Sequence, residues 1–144
     1  AGMFAFQTPA DKLDTASLKT LIDGLGGEVK VLNAEVGKEK YQINAKTDKL
    51  NIPVAVELSS SGNYIWLTVF LGAASEKTKY QDLLRQNADL QPTFFYLTSK
   101  GNLMAAEAID NRAVNAAIFK RVMDKLVADV DKSSSVWQTP AAGQ

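Results

Sequence analysis

"IPVAVELSSSGNYIWLTVFL", Ile52 to Leu71, decides how this chain folds. Two β-rich apolar runs flank Ser59 to Asn63, a small polar stretch with a glycine, and that arrangement predicts a hairpin. Strand side chains alternate between two faces, so the choice of turn sets every facing. With Ser61-Gly62 at the turn, Leu58 lies opposite Ile65, Val56 opposite Leu67, Val54 opposite Val69 and Ile52 opposite Leu71. That face is wholly aliphatic. The other sets Glu57 against Trp66, Ala55 against Thr68, Pro53 against Phe70 and Ser59 against Tyr64. A slip of one residue mixes the two sets, which is the argument for this register.

Reading outward, "LDTASLKTLIDGLGG" spaces Leu18, Leu21, Ile22 and Leu25 as a helix, with Asp14 or Thr15 as cap and Gly24, Gly26 and Gly27 at the exit. Two short strands follow, "EVKVLNAEV" and "YQINAK". Their expected pairing puts Leu32, Ala34 and Val36 with Tyr41, Ile43 and Ala45 on one face. Val31, Asn33 and Glu35 go with Gln42, Asn44 and Lys46 on the other. Beyond Leu71, "SEKTKYQDLLRQNADL" predicts a helix capped by Ser75, with Tyr80, Leu83, Leu84 and Asn87 on one face, and Pro92 forbids its continuation. A second hairpin turns at Lys100-Gly101. This setting pairs Phe95 and Leu97 with Ala106 and Met104, and Phe94 and Tyr96 with Glu107 and Ala105. Asp110 then caps a long helix with Val114, Ile118, Val122, Leu126 and Val130 along one side. The predicted order is α-β-β-β-β-α-β-β-α, an α+β fold around an antiparallel sheet of five to six strands. Residues 1–12 read as an apolar arm, 13–131 as a single domain, and 132–144 as a flexible tail in which Trp137 is the one large ring.

The register gathers Tyr64, Trp66, Phe70, Phe94 and Tyr96 on one flank of the sheet, with Glu57 and Glu107 nearby if the two hairpins adjoin. Such rings bury about 150–250 Å² each, and a patch of that size calls for a cover. Within the chain, the middle helix or the arm around Met3, Phe4 and Phe6 can supply one. Between chains, a second copy or another protein can do so. A small apolar ligand held between the aromatic face and a helix is the third option.

Composition narrows the chemistry. Sixteen basic residues balance sixteen acidic ones, with no basic run, so neither a nucleic-acid backbone nor an anionic membrane is the expected partner. No apolar stretch approaches the roughly 18–20 residues of a membrane span. The chain has no histidine and no cysteine, which removes the usual general base, the thiolate nucleophile and most transition-metal sites. No cofactor or metal is expected. Lack of cysteine fits a cytoplasmic or an exported protein equally. The glycines of "GLGGEVK" follow a helix and precede a strand, the reverse of a phosphate-binding loop. Asp110-Asn111-Arg112 reads either as an acid beside a positioning arginine or as a helix start. Glu57 and Glu107 read either as a carboxylate pair or as solvated strand residues at the aromatic rim. Asn87 is either a buried amide in need of partners or a polar residue at a helix end.

"YQDLLRQNADLQPTFFYLTSKGNLMAAEAI", Tyr80 to Ile109, with the amphipathic helix after it, resembles the YbjN-type family of bacterial sensory-transduction regulators. The resemblance rests on Leu83-Leu84, Asn87, Leu90, the aromatic strand from Phe94 to Tyr96, the Lys100-Gly101-Asn102 turn and the small-residue strand ending at Ile109. It extends over about Asp14 to Val130, taking in the opening helix and "YIWLTVFL". That family resembles in turn the type III secretion chaperone-like fold. The resemblance implies a non-enzymatic bacterial protein-binding module, often a homodimer, whose exposed sheet or helix surfaces hold a partner chain.

Overall fold

The computed structural model describes residues 11–139, so the expected arm with Met3, Phe4 and Phe6 lies outside the described residues. Helix α1 (Thr15–Asp23) begins where the side chain of Asp14 accepts the Ser17 amide at 2.8 Å and Ser17 Oγ accepts the Asp14 amide at 2.9 Å. This reciprocal cap satisfies two donors that a helix start otherwise leaves open. Strands β1 (Val29–Asn33), β2 (Lys40–Lys46), β3 (Asn51–Leu58) and β4 (Tyr64–Ala73) follow, then helix α2 (Tyr80–Asp89), strands β5 (Phe94–Leu97) and β6 (Asn102–Asp110), and helices α3 (Ala116–Lys132) and α4 (Ser134–Trp137). The element order is the one expected, with α4 added. Residues 134–137, read from sequence as tail, form that last short helix. Trp137 packs against the core, and its indole donates to the Val130 carbonyl at 2.8 Å.

The six strands form one antiparallel sheet in the order β1-β2-β3-β4-β6-β5. The hairpin β3–β4 has the register read from its turn: Leu58 faces Ile65, Val56 Leu67, Glu57 Trp66 and Ala55 Thr68. Its ladder stops there. The pairs expected further along, Val54 with Val69 and Ile52 with Leu71, fall outside it. β3 continues against β2 as far as Asn51, while β4 continues against β6 as far as Ala73.

Two other registers differ from expectation, β5–β6 by one residue and β1–β2 by five, and an odd shift reverses the facing in each. β5 and β6 are joined by three residues, Ser99-Lys100-Gly101, because the Gly101 amide donates to Thr98 O and the Thr98 amide to Asn102 O. Gly101 sits at φ +82°, a left-handed position that closes a three-residue loop where a two-residue turn was expected. Phe95 therefore faces Ala105 and Phe94 faces Ala106. The slip moves Glu107 from the aromatic face to the core face, opposite Leu67. In β1, Val29 faces Ile43 and Val31 faces Tyr41, so the odd residues of β1, not the even ones, share the side of Tyr41 and Ile43. That strand ends at Asn33, which leaves Val36 in a loop and 91% exposed.

Helices α1 and α3 cover one face of the sheet. Leu18 and Ile22, with Phe119, Leu126 and Val130, pack on Tyr41, Ile43, Val54, Val56, Ile65, Leu67, Ala105 and Ile109, all buried. Val114, Ile118 and Val122, expected in the stripe of α3, only flank this core. Two caps also differ. Asn115, not Asp110, caps α3 by accepting the Ile118 amide, and Asp110 instead closes β6. Ser75 caps a turn, accepting the Lys77 amide, and α2 starts later at Tyr80 without a side-chain cap. Asn111 is fully buried: it accepts the Leu13 amide and donates to the carbonyls of Leu13 and Gly62, tying the approach to α1 onto the β3–β4 turn.

Candidate functional site

The second face of the sheet carries no helix among the described residues. Its even-numbered β4 positions, Tyr64, Trp66, Thr68 and Phe70, stand opposite Asp110, Ala108, Ala106 and Met104 of β6. The next strand places Phe94 beside Ala106 and Tyr96 beside Met104. All five aromatic residues picked out from sequence therefore share this face. Tyr64 and Phe70 remain 47% and 60% exposed, while Trp66, Phe94 and Tyr96 are half-buried. The ring centroids of Tyr64 and Trp66 are 6.5 Å apart and those of Phe94 and Tyr96 are 5.6 Å apart, both within the range of favourable tilted pairs. Toward β2 and β3 the same face turns polar, with Lys30, Gln42, Asn44 and Asn51.

A trough of about 330 Å³ runs through the aromatic region, lined by Glu57, Trp66, Thr68, Phe94 and Tyr96. Its walls come from β4 and β5. Between them β6 places Ala106 and Met104, and Ala106 is buried beneath its neighbours although no helix among the described residues lies above it. Burial, with the charge of Glu57 second, pushes the Tyr96 phenol above its ordinary value. The Glu57 carboxylate is met by Lys40 Nζ at 3.9 Å, in a pair whose side chains are both more than a third exposed. Such a pair holds only loosely.

Tyr96 also borders a second apolar groove, of about 300 Å³, between α2 and β5; Leu83, Leu84, Phe95 and Leu97 contribute to it. Leu84 is 70% exposed, which the sequence reading missed in grouping it with Leu83. Successive residues of a helix are turned about 100° apart and cannot share one narrow stripe. Asn87 is half-buried and finds the partners that the first of the two readings required. Its Oδ1 accepts the Phe95 amide at 2.6 Å and its Nδ2 donates to the Phe95 carbonyl at 3.2 Å, so α2 occupies the edge of β5 as a neighbouring strand would. The middle helix thus closes an edge and leaves the aromatic face bare. At the opposite edge, Val31 and Leu32 of β1 are also exposed.

The residues weighed for catalysis do not come together. Glu57 and Glu107 lie on opposite faces of the sheet, so they form no carboxylate pair. Glu107 is buried, its Oε2 accepting from Thr93 Oγ1 at 3.0 Å; burial pushes its carboxyl up, and the Thr93 hydrogen bond and the charge of Lys125 oppose that push. Lys125 itself is bound to Asp129 at 2.6 Å. Asp110 and Arg112 form an exposed ion pair at 2.8 Å. A hollow of about 690 Å³ between loops is lined by Thr15, Lys38, Glu39, Lys40 and Ser59 to Ser61. There, the backbone amide of Glu39 and then the Thr15 hydroxyl hold the Glu39 carboxyl below its ordinary value.

No protein-family model matches the sequence, and a search of curated proteins finds no relative. The solved structures similar to this chain include two from chaperone complexes. One is a chain of the HopA1–SchA chaperone–effector complex, at 20% identity and a TM-score of 0.58, covering 83% of this chain and 96% of that one. The other belongs to the Yersinia pestis type III secretion chaperone SycH in complex with a stable fragment of YscM2, at 17% identity and a TM-score of 0.53, covering 83% of this chain and 95% of that one. With helices on one side of a six-stranded antiparallel sheet, this chain has the α+β fold of the type III secretion chaperone structures.

Proposed function

We propose that this chain is a non-catalytic, chaperone-like protein-docking module that binds through the outer sheet face at Tyr64, Trp66, Phe70, Phe94 and Tyr96, first with a second copy of itself. The observation that carries the reading is an aromatic sheet face with no helix over it among the described residues. Aromatic rings on a bare face suit a protein interface, where such residues dominate binding energy. The fold shared with secretion chaperones agrees with a binding role, and the separation of Glu57 from Glu107 agrees with the absence of catalysis. The resemblance of about Asp14 to Val130 to the YbjN-type regulators belongs to this proposal as its finer form.

Sedimentation velocity over a concentration series tests it with Trp66→Ala and Phe70→Glu. Phe70 is 60% exposed, so docking would dry about 120 Å² of ring. At ~25 cal/mol per Å² that is about 3 kcal/mol, or about a hundredfold in dissociation constant. Both variants are expected to stay folded and to weaken association. A wild type that is monomeric up to about 1 mM overturns self-association. Variants that associate like the wild type overturn the choice of face.

A second reading, a carrier of a small apolar ligand, has the groove between α2 and β5 in its favour. Native mass spectrometry of the purified protein tests it; a chain mass without added ligand counts against it.

A further inference from the structure

We propose that the trough on the outer sheet face receives an arginine side chain of a protein partner, with the ring faces of Trp66, Phe94 and Tyr96 around the guanidinium and the Glu57 carboxylate accepting its hydrogen bonds. This rests on the docking reading above and names the chemistry of what docks. Three rings and one acid line the same trough, about 330 Å³ in volume. An aromatic face is the negative end of the ring quadrupole, so a cation over it is attracted, and more strongly where water is excluded. A carboxylate beside those faces adds a full negative charge of the same preference.

The composition of the trough selects against an uncharged guest. An apolar side chain seated there would strip water from Glu57 and give it no new partner, which is costly for an ion. A guanidinium meets both needs, since its planar fork binds a carboxylate with two hydrogen bonds while its flat faces stack on rings. Glu57 has room for it. Its contact with Lys40 is long, at 3.9 Å, and wet on both sides, so it competes weakly. Ala106 of β6 matters too. A longer residue there, between Thr68 of β4 and Phe94 of β5, would fill the trough from below.

The test follows the indole N–H resonance of Trp66 in two-dimensional nitrogen–proton spectra, assigned with a Trp137→Phe variant. One probe is the blocked tetrapeptide Ala-Arg-Ala-Leu. Its counterpart carries citrulline for arginine, which keeps the shape and removes the charge. The arginine peptide is expected to shift Trp66 saturably, and the citrulline peptide to bind at least about tenfold more weakly. Glu57→Gln should weaken the arginine peptide by about tenfold with the rest of the spectrum unchanged, and Lys40→Ala should tighten it by about two- to threefold. Equal affinity of the two peptides, or no saturable shift of Trp66 up to about 10 mM arginine peptide, overturns the proposal. An association lost with Trp66→Ala but kept with Glu57→Gln leaves the docking face standing and the arginine reading refuted.

Discussion

Asn87→Ala measures how firmly α2 is held to the sheet. The wild-type carboxamide makes two hydrogen bonds to the backbone of Phe95, one as acceptor at 2.6 Å and one as donor at 3.2 Å. Each is worth about 1 kcal/mol net, and the partners left behind are partly buried, so about 2–3 kcal/mol is lost. Alanine is the better helix former by about 0.5 kcal/mol, which leaves a net destabilisation of about 2 kcal/mol. For a chain of this size that is a fall in Tm of about 4–8 °C. Local consequences should exceed the global one. The amide of Phe95, now unpaired at a sheet edge, should exchange with solvent much faster than its neighbours in β6. Asn87→Asp separates the two bonds, since it keeps an acceptor for the Phe95 amide and sets a carboxylate against the Phe95 carbonyl. Calorimetry and amide exchange read both variants. Unchanged melting together with unchanged exchange at Phe95 would refute the claim that this amide substitutes for a strand.

Glu107→Gln should remove a pH dependence. Because burial raises the Glu107 carboxyl above its ordinary value of 4.5, the folded state keeps this proton longer than the unfolded chain does. The resulting stability is fully present below pH 4.5 and declines as pH rises toward the folded value, so thermal melts should favour the variant increasingly above pH 4.5. Asn111→Ala leaves the Leu13 amide and two carbonyls without their partner in a buried site; urea unfolding should show a loss of about 2–4 kcal/mol, and a loss under 1 kcal/mol would deny that tether its role. Phe119→Ala empties the largest fully buried side chain and should cost about 3–5 kcal/mol by the same measurement.

Each half of the outer aromatic face was legible from sequence because it depends on parity alone, whereas the joining of the two halves depends on the β4–β6 and β5–β6 registers. Tyr64, Trp66 and Phe70 are all even-numbered residues of one strand, and Phe94 and Tyr96 are even-numbered residues of another. Such sets stay together whatever the neighbouring strand does. The position of Glu107 was not legible in this way. Its side depended on how many residues close the β5–β6 loop, and the left-handed conformation of Gly101 moved that count from two to three. Lys100-Gly101 is compatible with either turn, so the local sequence left open a choice that is visible only in the pairing of β6 with β4 and β5.

Asn87 shows the same division from the other side. Helical spacing placed an amide among leucines, yet its partners, the backbone groups of Phe95, became available only because β6 inserts beside β4 and leaves β5 at the edge. Alternation, turn residues and helix caps act over a few bonds, and they determined the element order, the aliphatic and aromatic flanks and the β3–β4 register from sequence alone. Which strand is an edge and whether a carboxylate ends in the core or in water are contests between distant segments for the same apolar surface. Those were decided only when the whole sheet closed under α1 and α3.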